Sequence, residues 1–572
     1  MGSQTSPGPP LPATRRRRQR TTANPNVKRV LIAILAFGVS LAAGAQEEMR
    51  LPDIGSSAAA ILSPDEERQI GQQMLRSLRG ARAVADDPLL DEYIAEIGYR
   101  LVANSERPEQ PFTFFLVRSE QINAFAAPGG YVGMNTGLIA TAESESEVAA
   151  VLAHEVAHVT QRHLVRAFES MQKVSLPIML AMVGALIAAS GSSGDAAQAA
   201  VVSGSALLQQ QQINFTRGNE YEADRMGIQI LARSGFDPQA MADFFWRMGR
   251  ATRANTGEGV PEFLRTHPVT VSRISEAKDR ATRIASEVPA TPAAPADAGV
   301  LALYAPPAAT GGRTVAIAGL PGADDLAEQA RFAREIRSLR EAAAATPRDP
   351  SAFPRFRERA RVLGATNPGD LIPYYRRAIA AGDGDADAMH YGLALSLSRA
   401  GQAREAIPLL QALAAREPDS IVWALGLAEA EDAAGHADLA RDRLNALAAR
   451  YPGHRAVAIA HAQQLVASGS PQAAATAVDR LRPLLAGSGD DALLQLTFAR
   501  ACELAGDEIR AGEAHAEVAL LNGRFDDALQ QLSNLLRRTD VDYYQRARIE
   551  ARIAQITPVA LEQRRRMMPG QA

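Results

Sequence analysis

Val151-Leu152-Ala153-His154-Glu155-Val156-Ala157-His158-Val159 is the most informative stretch of this chain. These residues predict a helix, and on a helix positions four apart share a face. His154 and His158 can therefore present two imidazoles to one divalent cation, the His-Glu-x-x-His arrangement of a zinc hydrolase. Glu155 sits one step round, where it reaches a water on that cation without replacing either ligand. Val151, Leu152, Val156 and Val159 predict burial, and a low-dielectric wall suits a metal-activated nucleophile. Just upstream, Ser144-Glu145-Ser146-Glu147 reads as the capping box that starts this helix.

Such a site needs a third protein ligand and an open fourth position. A ligand six residues after the second histidine is excluded, because Leu164 stands there. His163 lies one residue short of it and on another face, as a surface residue or one standing behind a ligand. Glu169 is too far along the axis. Glu220 and Asp224 are four apart and share a face with Ala223, Gly227 and Leu231. Two carboxylates on a packed face are costly unless a cation or hydrogen bonds satisfy them. A ligand carboxylate beside a second one that orients a ligand imidazole accounts for both. The alternative is a charged helix start favoured by the dipole. Glu222 falls on the solvent side.

Working towards the N-terminus, the period changes from helical to alternating. Phe112–Val117, Ala124–Ala126 and Tyr131–Met134 predict a small mixed sheet, with turns at Pro128-Gly129-Gly130 and Asn135-Thr136-Gly137. Gly130, Tyr131, Val132, Gly133 and Met134 are the candidate substrate-binding strand, since an edge strand holds an extended peptide by its backbone; an ordinary sheet edge is the alternative. Ser63-Pro64-Asp65-Glu66 starts a helix running to about Arg79, and a second covers Leu89 to Leu101.

Length and charge bound the rest. A chain of 572 residues is too long for one core. Its net charge of −3 gives no bulk electrostatic reason to expect nucleic acid. Seven basic and no acidic residues fall in 1–45, which leaves 54 basic against 64 acidic beyond them. The basic segment, the apolar run Val30–Ala43 and Ala43-Gly44-Ala45 together predict a signal peptide cleaved before Gln46, hence export. The single cysteine, Cys502, excludes an internal disulfide. Val174–Ala189, broken by Pro177 and Gly184, reads as a packed hairpin, a mobile lid or a membrane-touching flap, with Gly191–Gly194 as the hinge of the latter two. Val288–Leu320, rich in Ala, Pro and Gly, reads as a linker.

Beyond the linker the chain repeats. Gly401, Gly435 and Gly469 are 34 apart, as are Pro418 and Pro452, Leu393 and Leu427, and Ala406 and Ala440. That is the tetratricopeptide period, one helix–turn–helix per unit. About four units are expected, the last degenerate around Gly523.

The two metal motifs, together with Ser63-Pro64-Asp65-Glu66-Glu67, Asn123-Ala124-Phe125-Ala126 and Thr266-His267-Pro268, resemble the M48 family of zinc metallopeptidases over about residues 60–285. The resemblance implies an α+β fold: a mainly helical zincin-type peptidase domain with a small sheet, followed here by an all-α repeat solenoid. It also implies one Zn2+ per chain held by His154, His158 and Glu220, with Glu155 as general base and Asp224 supporting a ligand. His267 would be a regulatory fourth ligand or a transition-state donor, and Arg273 a second donor. With the signal peptide and the repeats it implies a periplasmic peptidase whose partners are outer-membrane barrel proteins and their assembly machinery. A binding protein with a largely closed site is the rival. The expected organisation is 1–45 signal, 46–285 peptidase, 286–322 linker, 323–560 repeats and 561–572 tail.

Overall fold

A computed structural model describes residues 62–167, 169, 216–254, 261–287, 350–485 and 490–567, all within the unit Ser57–Ala572. The signal peptide, Val174–Ala189 with its Gly-Ser stretch, and the linker from Val288 lie outside the described residues.

Helix α1, Pro64–Gly80, opens on the expected capping box: Ser63 Oγ accepts from Glu66 N at 3.3 Å, and Glu66 Oε2 accepts from Ser63 N at 2.8 Å. Helix α2, Pro88–Ala103, is capped by Asp87, whose Oδ1 accepts from Leu90 N at 3.1 Å. Three strands follow: β1 Thr113–Val117, β2 Ala124–Ala127 and β3 Tyr131–Asn135. Their order is β1-β3-β2, with β3 parallel to β1 and antiparallel to β2.

The predicted turn at Asn135-Thr136-Gly137 is instead the start of helix α3, Thr136–Thr141. Tertiary contacts override the turn composition. Thr136 Oγ1 bonds both the backbone N and O of Ser119, and Gly137 N donates to Ser119 O at 2.8 Å. Helix α4, Glu145–Thr160, carries the histidine motif and starts on Ser144, whose Oγ accepts from Glu147 N. The reciprocal half of that capping box does not form. The Glu147 carboxylate accepts from Glu143 N at 2.7 Å and pairs with Arg247. Helices α5 (residues 216–233), α6 (Ala240–Ala254), α7 (Glu262–Thr266) and α8 (Val271–Glu287) close the peptidase half around α4.

One helix from beyond the linker belongs to the same core. In α9, Phe353–Gly364, the side chains of Phe353, Ala360 and Leu363 join the cluster that contains Leu138, Ile139 and the inner face of α4. Phe356 stacks on Tyr93 with ring centroids 4.3 Å apart. Arg359 donates to both carboxylate oxygens of Asp87 at 2.9 Å, to Tyr391 Oη at 2.8 Å and to Glu429 at 3.0 Å. One buried guanidinium thus joins the cap of α2 to two repeat helices.

The repeats are helix pairs: Ala386–Arg399 with Ala403–Arg416, Ile421–Ala433 with Ala437–Arg450, Arg455–Ala467 with Pro471–Leu485, and Ala492–Ala505 with Glu508–Leu521. Gly401, Gly435, Gly469 and Gly506 make the tight intra-pair turns with φ between 70° and 85°, a region only glycine occupies freely. Pro418 and Pro452 follow second helices ending at Arg416 and Arg450. Two further helices, Phe525–Leu536 and Tyr543–Met567, follow Gly523. No helix among the described residues is long and apolar enough to cross a membrane.

Candidate metal centre

Burial of α4 fixes the site. Val151, Leu152, Ala153, Val156 and Ala157 are all core residues, so the histidine face has one orientation available. His154 is fully buried and Glu155 nearly so. Helix α5 crosses close by because residue 227 is glycine; a Cβ there would lie 3.2 Å from His154 N and 3.0 Å from Met241 Cε. That approach brings the Glu220 carboxylate to the two imidazoles.

His154 Nε2 lies 3.0 Å from His158 Nε2 and 3.4 Å from Glu220 Oε2, and His158 Nε2 lies 3.4 Å from Glu220 Oε1. His267, the C-cap of α7, completes the group. Its Nδ1 is 3.3 Å from His154 Nε2 and 3.1 Å from Glu220 Oε1. Ligands about 2.0–2.1 Å from a tetrahedral centre stand about 3.3–3.4 Å from one another. The 3.0–3.4 Å separations given above are close to that spacing, and the donors of His154, His158, Glu220 and His267, all within 4.8 Å of one another, can hold a metal ion. Phe263 stacks on the His267 ring at 4.9 Å and holds it in place. Nothing in the helical spacing pointed to Phe263.

The electrostatics follow from crowding. Burial opposes a charge on His154, but Asp224 and Glu220 outweigh it and lift the imidazole to about 9. Burial takes His158 the other way, down to about 3. Burial also opposes a charge on Glu220, yet the three imidazoles hold its carboxyl far below the usual carboxylate range. Asp224 Oδ1 stands 3.1 Å from His154 Nδ1, on the ring edge away from the group.

Two expectations are corrected. Arg273 cannot reach a substrate carbonyl. It is 2% exposed, donates twice to Asp224 at 2.7 Å, to Glu220 Oε2 at 2.9 Å and to Pro268 O at 2.9 Å, and lies over the Phe245 ring. It therefore holds the carboxylates in position. The strand Tyr131–Met134, with Gly130 before it, cannot pair with a peptide either. β3 is the central strand, its backbone taken by β1 on one side and β2 on the other. Gly130 is the turn that enters β3, with φ 82°. Gly133 packs under Phe125 and Phe115, and Val132 and Met134 point into the core. The edges of the sheet are β1, whose outer side is bridged by Val84 at Val117, and β2, which packs against the histidine helix α4.

His163 takes the second of its two expected places, behind a ligand, by a route that uninterrupted helical spacing does not give. The helix breaks at Gln161-Arg162, where Arg162 has φ 53° and its guanidinium bonds Leu62 O and Glu67. The chain turns back, and His163 is buried against His158.

Residues 88–281 match Peptidase family M48, and residues 397–463 match a tetratricopeptide repeat. This chain carries an M48 peptidase domain. The beta-barrel assembly-enhancing protease of Escherichia coli (strain K12) is 41% identical over 259 residues, 45% of this chain and 53% of that protein. The protein of the same name from Yersinia pestis is 45% identical over 236 residues, 41% of this chain and 48% of that one. The mitochondrial metalloendopeptidase OMA1 of Schizosaccharomyces pombe is 29% identical over 187 residues, 33% of this chain and 52% of that one. The chain spans about half the length of the relatives it matches. The matched segment contains all four donors of the M48 site, and the repeat match includes the turns at Gly401 and Gly435.

Proposed function

We propose that this chain is an exported zinc metalloendopeptidase acting in the periplasm on outer-membrane barrel proteins during their assembly. Residues 46–285 form the peptidase, and the repeat domain, 323–560, binds clients or the assembly machinery. Four donor atoms from three separate segments, all closing on one point, carry this reading. His154, His158 and Glu220 are the zinc ligands. Zinc at this site supplies a Lewis acid that polarises a carbonyl and makes a water more acidic.

The protein's own groups do the rest. Glu155 Oε1 is buried and makes no hydrogen bond among the described residues, which suits a general base. It takes the proton of the attacking water and hands it to the leaving amine. Asp224 Oδ1, 3.1 Å from His154 Nδ1, is the charge partner on that edge of the ring and favours the orientation in which Nε2 faces the metal group. The edge strand β2 is the candidate for pairing with an extended peptide.

His267 favours a second reading, an adaptor or chaperone with a closed peptidase. His267 Nδ1, 3.3 Å from His154 Nε2 and 3.1 Å from Glu220 Oε1, would stand where a water would bind if zinc were held by His154, His158 and Glu220, and the peptidase would then be latent until α7 and the Thr266–Pro268 loop withdrew. Its Nε2 lies 3.5 Å from Glu155 Oε1, so the same residue also covers the base. Glu155→Gln separates the two readings. The enzyme reading expects zinc content unchanged and degradation of an unfolded barrel protein reduced about 10²–10⁴-fold. Full function with that substitution overturns it and leaves the adaptor.

A further inference from the structure

Each of the two ligand imidazoles has a support behind it, and the two supports differ. Behind His154 stands the carboxylate of Asp224, held by the buried Arg273. Behind His158 stands His163, with Nδ1 to Nδ1 at 2.9 Å and the rings nearly perpendicular at 81°. His163 Nε2 lies 3.2 Å from Glu222 Oε2, and the same oxygen accepts from Arg166 Nη1 at 2.9 Å.

The proton positions along this row follow from elementary bookkeeping. A neutral imidazole that offers its Nε2 lone pair must carry its hydrogen on Nδ1. His158, with Nε2 turned to the donor group, therefore donates from Nδ1 to Nδ1 of His163. His163 must then carry its own hydrogen on Nε2, and donates it to the Glu222 carboxylate. Every hydrogen in the row has one place to go. The row exists only because the helix is broken at Arg162; in a continuous helix a residue five positions on lies well round from His158.

We propose that His163, fixed by Glu222 and Arg166, is a positioning residue that sets the tautomer and orientation of His158 for metal binding. This rests on the reading of His158 as a ligand. The two supports also divide the site unequally. Arg273 is sealed in the core, whereas Glu222 and Arg166 have side chains 36% and 39% exposed. The His158 arm is therefore the one that events at the surface can reach.

Zinc affinity of the full chain, measured by chelator competition, tests this. His163→Leu removes the acceptor and is expected to weaken zinc binding about 10–100-fold. His163→Asn places an amide oxygen where Nδ1 stood and is expected to recover most of that loss. Glu222→Ala, at a half-exposed position, is expected to weaken binding about tenfold while the melting temperature of the metal-stripped protein stays at the parent value. Parent-like affinity in both His163→Leu and Glu222→Ala overturns the proposal, as does His163→Asn binding no better than His163→Leu. If His163→Leu fails to fold, Glu222→Ala decides alone. Zinc lost in His158→Ala but kept in His163→Leu refutes the support and spares the ligand assignment. Zinc kept in His158→Ala refutes the assignment itself.

Discussion

Replacing Arg359 by alanine tests whether the repeats and the peptidase are one mechanical object. In the native protein burial opposes a charge on Asp87, but the Arg359 guanidinium more than offsets it and holds the carboxyl below its usual range. Asp87 is 3% exposed and also caps α2 through Leu90 N. Removing the guanidinium strands a buried carboxylate and unties Tyr391 and Glu429, at a cost of about 3–5 kcal/mol. With urea slopes of about 1–3 kcal/mol/M, the midpoint should fall by roughly 1–5 M. The two tryptophans report on both halves, Trp246 on α6 and the buried Trp423 in the repeats. A chain of this size need not unfold in one step, so single-tryptophan variants should be followed separately. Both transitions should shift.

The pH dependence carries a sign. In the parent, the depressed Asp87 contributes stability that is present above its unfolded value of 3.8 and lost as pH falls through its lower folded value. In Arg359→Ala burial, the largest influence on Asp87, is opposed only by the Leu90 N–H bond and the charge of Arg399, so the deficit is largest near neutrality and shrinks on acidification. Asp87→Asn combined with Arg359→Met should restore most of the stability, because no charge is then left buried. A midpoint shift below about 0.5 M in either probe, or a deficit independent of pH, refutes the reasoning.

Three further outcomes follow from the same geometry. His267→Ala should open the fourth corner, weakening zinc retention in chelator competition by about tenfold while raising peptide hydrolysis; lower hydrolysis with zinc retained would make His267 a donor instead of a latch. Gly227→Val should push α5 off α4 at a cost of about 1–3 kcal/mol, read as a 5–150-fold loss of zinc affinity with repeat-domain unfolding unchanged. Burial raises Glu92, whose Oε1 accepts from Ala456 N in the repeats at 3.0 Å, to about 7 from 4.5. Its charged form is disfavoured in the folded chain, so stability should decline from pH 4.5 up through about 7, by at most ~1.4 kcal/mol per pH unit, and Glu92→Gln should flatten that slope in urea titrations.

Much of this molecule is legible in its residues, and the exceptions have physical causes. The histidine helix, the ligand carboxylate and the repeats follow from periodicity, because burial on one face writes itself into spacing. Glu220 was accessible from sequence since a carboxylate on the face of Ala223, Gly227 and Leu231 demanded a partner. What periodicity cannot see is a break in itself: the interruption at Arg162, a non-glycine with positive φ, decided between a surface place for His163 and one behind a ligand, and put it against His158. Strand order is likewise a tertiary property, so Tyr131–Met134 read as readily as an edge as the centre it turned out to be. Arg273 illustrates a third limit. Its sequence position says it is near the site, and only its burial and its four short contacts say that it is tied to the carboxylates instead of facing substrate.

The entry of α9 into the cluster around Leu138 and Ile139 has a consequence for what counts as a separable piece. A protein cut anywhere between Glu287 and Pro350 would stay assembled as two non-covalently associated fragments, because the second fragment fills a slot in the first. Expressed alone, residues up to Glu287 would present a raw apolar seam where Phe353, Ala360 and Leu363 belong, and should aggregate unless the missing strip of helix is supplied in trans as a peptide.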